Sequence, residues 1–153
     1  SRILDNGTGK CSRSEQRYAF FESRSKAGFP GLELEPGSAY LSWTLWPNTC
    51  MLSLPGCQNL IVIRMAPQGP DRCREHVDLL SVNGEASPEL EAIKDLFVDE
   101  FNAEDIGIVE SVHRGLGSMG YDQGRYVADD EDNWYSESGL HRFHQLVLAA
   151  LDH

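Results

Sequence analysis

Between Ser38 and Val82 the chain carries four short runs of strand-forming residues, joined by connections too short to hold a helix. Tyr40-Leu-Ser-Trp-Thr-Leu-Trp46 alternates large apolar with small polar residues and breaks at Pro47-Asn48. Met51-Leu-Ser-Leu54 ends at Pro55-Gly56. Asn59-Leu-Ile-Val-Ile-Arg-Met65 is rich in branched side chains and stops at Pro67-Gln-Gly-Pro70. The last run, Arg72 to Val82, sets Cys73, Glu75, Val77 and Leu79 on one face. Parallel neighbours would need long crossovers, so these strands are expected to pair antiparallel.

From Ser87 the period becomes helical. Ser87-Pro88 offers a hydroxyl N-cap and a proline at the first helical position, followed by acids that suit the helix dipole. Leu90, Ile93, Phe97 and Phe101 form one stripe, and apolar spacing continues through Ile108, Val109, Val112 and Leu116 until glycines 115, 117 and 120 end it. One helix of that length is long for a small domain, so a bend or break is expected near Asn102-Ala103. After an acidic loop at Asp129 to Asp132, Ser138 or Ser136 is expected to cap a last helix that buries Leu140, Phe143, Val147, Leu148 and Leu151. Ahead of the sheet, residues 1–37 are polar and Gly/Ser-rich, with one aromatic knot at Tyr18-Ala-Phe-Phe21 and turn signals at Phe29-Pro-Gly31 and Glu35-Pro-Gly37. This part reads as a loop-rich N-terminal segment. The plan is α+β: a sheet over 38–82 packed on C-terminal helices at about 87–116 and 138–152.

Composition narrows the function classes. With 153 residues, 41% of them hydrophobic, the chain can bury a core. Lys and Arg number 13 against 24 Asp and Glu, a net charge of −11 that repels nucleic acid and anionic membrane surfaces. No apolar run approaches the ~20 residues of a membrane helix, and the start SRILDNGTGK has no signal-peptide pattern. A cytoplasmic location is therefore expected. The first residue is Ser rather than Met, which reads as a trimmed piece of a longer protein. Cys11, Cys50, Cys57 and Cys73 form no C-x-x-C pair and are too sparse for a disulfide scaffold. Reduced, partly buried thiols are expected.

Several motifs invite chemistry and fail on context. Gly115-Leu-Gly-Ser-Met-Gly120 matches G-x-G-x-x-G, but that fingerprint needs a strand before it and a helix after it, whereas here a helix precedes and a loop follows. Asn6-Gly-Thr-Gly-Lys10 lacks the first glycine of a phosphate loop. His141 and His144 are spaced to share a helix face, a pattern more often a surface feature than a metal site. Asp105 is the informative position. Phe97, Phe101, Asp105, Val109, Val112 and Leu116 fall on one helical face, which sets a carboxylate inside an apolar stripe. Buried without a partner it would cost several kcal/mol, so it must meet a cation, a set of donors or a metal. An arginine partner such as Arg125 or Arg114, or a capping role near a helix break, is the plain structural remedy.

An ordered series of segments carries a resemblance. Trp46-Pro-Asn48, Ile61-Val-Ile-Arg-Met-Ala-Pro-Gln-Gly-Pro-Asp71, Asn102-Ala-Glu-Asp105, Glu110-Ser-Val-His-Arg-Gly-Leu-Gly-Ser118, Tyr121, Gly124-Arg125 and Phe143-His144 follow one another. From about Gly37 to Leu151 the chain resembles the C-terminal part of the catalytic domain of Rieske-type non-haem iron oxygenases, the alpha subunits of ring-hydroxylating dioxygenases and related demethylases. The resemblance implies a helix-grip (START/SRPBCC-like) fold. In that family an acid five positions before a Glu, on the helix leading into a V-x-x-G-L stretch, is the carboxylate of the iron site; Asp105 and Glu110 stand at that spacing. Asp105 would be the third ligand of a 2-His-1-carboxylate triad, and Asn102, one turn earlier, would line the substrate pocket.

The same resemblance implies Fe(II) at the mononuclear site, and a 2Fe-2S Rieske cluster in a part of the polypeptide not present here. The D-x-x-H-x-x-x-x-H helix and the C-x-H pair do not occur in these residues, Cys73-Arg-Glu-His76 meets the C-x-x-H spacing without the C-x-H half that a Rieske cluster needs, and His113 stands where many relatives have Gln. Alone, the chain is expected to be inactive. The intact oxidoreductase would draw electrons from NAD(P)H through a reductase, with or without a ferredoxin. It would hydroxylate an aromatic or other apolar substrate, as in aromatic compound catabolism, or demethylate an amine, and would assemble as a homotrimer. The rival readings are a helix-grip module that encloses a hydrophobic ligand without catalysis, and a bare interaction domain.

Overall fold

The computed structural model describes residues 7–15, 18–24, 39–55, 58–127 and 137–152, the first two stretches as backbone. The expected loop at 129–132, the turn signals at 29–31 and 35–37, Ser136 and Cys57 lie outside them.

Six strands form one antiparallel meander in chain order: β1 (Gly7–Glu15), β2 (Tyr18–Arg24), β3 (Ala39–Leu45), β4 (Thr49–Ser53), β5 (Asn59–Pro67) and β6 (Cys73–Ser81). The last four match the runs legible in the sequence. Leu52 pairs with Ile61 and Ile61 with Leu79, so period-two alternation stacks branched side chains across three strands. The β5–β6 turn uses Gly69 at φ 140, a conformation that disfavours any side chain, and Gln68 N donates to Arg72 O at 2.9 Å. Asn48 clamps the β3–β4 turn to β5 from both sides, its Nδ2 donating to Met65 O and its carbonyl accepting from Met65 N, each at 2.9 Å.

The first two strands correct the loop expected over 1–37. β2 pairs without slippage from Tyr18 opposite Leu45 to Arg24 opposite Ala39, whereas β1 pairs with β2 through two register shifts. Polar, Gly/Ser-rich sequence carries a weak intrinsic strand signal; a neighbouring strand that satisfies the backbone can override it.

One long helix crosses the sheet. It comprises α1 (Pro88–Asp95), a π-helical segment (Leu96–Asn102) and α2 (Ala103–Leu116). The backbone stays right-handed helical through both joints. The irregularity expected near Asn102-Ala103 is thus a widened turn that ends there. Ser87 Oγ accepts from Leu90 N at 3.2 Å, the N-cap that the sequence signalled. Replacing Ser87 by alanine is expected to cost about 1 kcal/mol, read as a lower denaturation midpoint with an unchanged far-ultraviolet spectrum.

The core joins helix to sheet: Leu52, Leu54, Ile61 and Ile63 meet Ile93, Leu96 and Phe97, with Tyr40, Leu79 and Phe101 at its margin. Buried Asn59 sits beneath, taking a bond from Leu54 N and giving one to Leu54 O, at 3.1 and 2.7 Å. The last helix, α3 (Ser138–Leu151), packs near β1 and β2. Glu137, not Ser138 or Ser136, occupies its N-cap, without a side-chain capping bond. Phe143 and Val147 are half-buried as expected, but Leu140, Leu148 and Leu151 are exposed, because among the described residues no element covers that side.

Candidate functional site

A cleft of about 1530 Å³ opens between the sheet and the long helix. Alternation along β3 to β6 turns Tyr40, Cys50, Leu52, Ile63, Met65 and Glu75 into one wall; Phe97, Phe101, Asn102, Asp105, Val109 and His113 supply the other. Leu52, Leu54, Ile63 and Phe97 make the depth of the cleft apolar, while charge collects at its rim. Asp71, Glu75, Glu100, Glu104, Asp105 and Glu110 outnumber Arg72 and Arg114 there, and Arg72 is already drawn to Asp71 at 3.8 Å.

Asp105 lies in the first turn of α2 and faces this cleft, but it is exposed. The burial expected from the apolar stripe does not occur. Phe97 is 6% exposed, whereas Val109 is 65% and Val112 57%, so the stripe leaves the core as the helix runs past the sheet. Neither Arg114 nor Arg125 pairs with Asp105, and it has no ion-pair partner among the described residues. Its field reaches Tyr40 across the cleft. Burial pushes the Tyr40 phenol above its usual range, a hydrogen bond with Ser42 pulls it down, and the charges of Cys50 and Asp105 push it up again. Burial likewise pushes the Cys50 thiol up, while hydrogen bonds with Ser42 and Thr44 pull it down. Cys50 and Cys73 are free thiols.

Asn102, one turn before Asp105, is half-buried, and its Nδ2 donates to Glu75 Oε2 at 2.9 Å. The sequence placed Glu75 on the face of Leu79 but gave no sign of this bond, because strand and helix meet only in the fold. His141 and His144 do not join the cleft. Tyr126 hydrogen-bonds His144 Nδ1 and lies 5.9 Å from the His141 ring, while Phe143 meets Trp46 edge-on at 5.4 Å. No group of three His, Cys, Asp or Glu side chains among the described residues could hold a metal. Gly115 to Gly120 begins in the last turn of α2 and leads into chain without regular secondary structure, so the dinucleotide fingerprint lacks its context here too.

A hard carboxylate without a counter-cation, on the wall of a partly apolar cleft, is the kind of donor a divalent iron takes. One such oxygen donor fits one corner of a three-ligand facial site, not a whole one.

Comparison with known proteins identifies the family. The family described as ring hydroxylating alpha subunit (catalytic domain) matches residues 4–153. The chain is 33% identical over 140 residues to the carnitine monooxygenase oxygenase subunit of Escherichia coli (strain K12), covering 91% of this chain and 34% of that protein. It is 31% identical over 86 residues to the chloroplastic choline monooxygenase of Amaranthus tricolor, covering 56% and 18%. Its structure superposes on that of a quaternary ammonium Rieske monooxygenase with a TM-score of 0.84 at 25% identity, covering 96% of this chain and 40% of the other. A structure of such an enzyme with L-carnitine gives 0.74 at 26% identity, over 97% and 38%. The chain thus spans about a third of the length of the curated relatives it matches. Among the described residues no helix is long and apolar enough to cross a membrane. With this fold, this cleft and these relatives, the chain belongs to the ring-hydroxylating alpha-subunit catalytic domains of the Rieske oxygenases.

Proposed function

We infer that the chain forms part of the catalytic pocket of an oxygenase whose substrate is a quaternary amine, and that Asp105 is the carboxylate of its mononuclear iron site. The observation that carries the reading is Asp105 itself, an unpaired acid on the cleft wall among the described residues. Two further ligands, histidines by the resemblance, would come from elsewhere in the polypeptide, as would the 2Fe-2S cluster. Bound there, the iron would supply the activation of dioxygen. The chain's own residues bind and orient. The apolar wall of Leu52, Ile63 and Phe97 excludes water, and Tyr40 and Phe101 offer aromatic faces at the cleft margin. A neutral phenol and phenyl attract an alkylammonium through their ring quadrupoles, and the surplus of rim carboxylates adds attraction of the same sign.

That charge pattern favours a quaternary amine over the aromatic hydrocarbon that the sequence equally allowed, and the carnitine and choline monooxygenases among the relatives point the same way. They also speak against a non-catalytic ligand-binding module. A sheet that wraps the long helix as a helix grip, a homotrimer, a reductase with or without a ferredoxin, and a cytoplasmic setting belong to the same proposal.

A full-length polypeptide carrying this chain, supplied with its reductase, NAD(P)H and dioxygen, is expected to consume a trimethylammonium substrate. It should leave the uncharged analogue, with carbon in place of nitrogen, turned over at least about tenfold more slowly. Equal rates on the two, or turnover of benzoate or naphthalene alone, would refute the amine reading.

A further inference from the structure

Past Phe97 the long helix leaves the core. Phe97 is buried, Phe101 is half-buried, and every residue from Ala103 to Leu116 is exposed. Asp105 therefore lies on a stretch whose direction is not fixed by side chains packed beneath it among the described residues. At the point of departure a polar tether reaches the sheet: the bond from Asn102 Nδ2 to Glu75 Oε2, 2.9 Å between two half-buried side chains. Glu75 belongs to β6, where it is registered opposite Met65 of β5, so the acceptor is held by the sheet. The carboxylate makes the bond charge-assisted, roughly twice as strong as a neutral one. Glu75 has no ion-pair partner among the described residues that would draw it elsewhere.

Two features tie this bond to Asp105. Asn102 and Asp105 are three residues apart and share a helix face. Asn102 also closes the π-helical segment, where i→i+5 bonding widens the turn, an irregularity that concentrates at functional sites. A widened turn without a lateral restraint would let the following helix re-aim; the Glu75 bond is that restraint.

We propose that Glu75 is a positioning residue: through Asn102 it sets the direction in which α2 presents the Asp105 carboxylate. Glu75 acts on the helix and need not touch substrate or metal. The proposal rests on Asp105 being the iron carboxylate.

The test uses the full-length protein and reads Fe(II) affinity by titration together with the near-infrared circular dichroism of the ferrous site. Glu75→Ala is expected to weaken Fe(II) binding about 10- to 100-fold, the usual cost of losing an outer partner of a metal ligand, and to change the ferrous spectrum while the melting temperature holds. Glu75→Gln keeps an acceptor oxygen and is expected to restore both. Asn102→Ala breaks the link from the helix side and is expected to reproduce the Glu75→Ala spectrum, which keeps the test decisive should Glu75→Ala fail to fold. Wild-type affinity and spectrum in Glu75→Ala, or failure of Glu75→Gln to rescue, would overturn the proposal. Asp105→Ala separates the two ideas: iron loss there with none in Glu75→Ala defeats the positioning role alone, whereas iron retained in Asp105→Ala defeats the ligand reading beneath it.

Discussion

Asp105→Ala in a full-length polypeptide carrying this chain is expected to lower iron retention by more than the 10- to 100-fold typical of an outer partner, and to reduce oxygenation to background, without unfolding the protein. The two halves of that result have separate physical causes. Asp105 is exposed and has no ion-pair partner among the described residues, so its removal strands no buried charge and opens no cavity. The expected change in stability is within about 0.5 kcal/mol. A structural acid would behave the other way, destabilising the fold when its partner was left unpaired. Asp105→Asn sharpens the comparison, because it keeps the size and one oxygen but removes the charge that favours a divalent ion. Iron content by plasma emission, with the melting temperature of each variant, makes the measurement. Wild-type iron in Asp105→Ala would take the residue out of the metal site.

How much of this was legible beforehand depends on the range of the interaction. Strands β3 to β6 announced themselves because alternation and turn residues are local, and Ser87-Pro88 marked the helix start for the same reason. The stripe Leu90, Ile93 and Phe97 shares a face by its period, and that face is buried. Its continuation is not: periodicity tells which residues share a face and cannot tell where that face runs out of sheet to cover. Val109 and Val112 keep the period and lose the partner. The same reasoning misjudged Leu140, Leu148 and Leu151. β1 and β2 were hidden for the converse reason: β2 pairs with β3 and β1 with β2, long-range partners that a polar, Gly/Ser-rich stretch around one short aromatic knot does not announce. At the site, Asp105 could be singled out as a carboxylate in an apolar pattern, and it lines the cleft. The inference that it must be buried did not follow. Glu75 and Asn102 lie 27 positions apart in sequence, and only the packing of the long helix against the sheet brings them together.

Ile93→Ala should produce the reverse of the Asp105 result, a protein that loses stability before it loses any ligand. Ile93 is 0% exposed and sits where the helix bears on Leu52, Leu54, Ile61 and Ile63. Truncation removes most of a buried aliphatic side chain and leaves a cavity that a sheet on one side and a helix on the other can only partly close, at a cost of about 2–5 kcal/mol. Ile93→Val, which removes one methylene, is expected to cost about 0.5–1.5 kcal/mol. Val98→Ala, on the exposed side of the same helix, should stay near 0.5 kcal/mol or less. Urea denaturation midpoints of the three variants in the full-length protein provide the check. A loss for Ile93→Ala no greater than that for Val98→Ala would mean that the helix is not seated on the sheet through this residue. The contrast with Asp105 bears on the site as well. The end of the helix that carries the carboxylate is held by its own first turns and by the Glu75 bond rather than by packing under α2. Weakening the seat at Ile93 should therefore lower iron affinity only at urea concentrations where the fold itself begins to open.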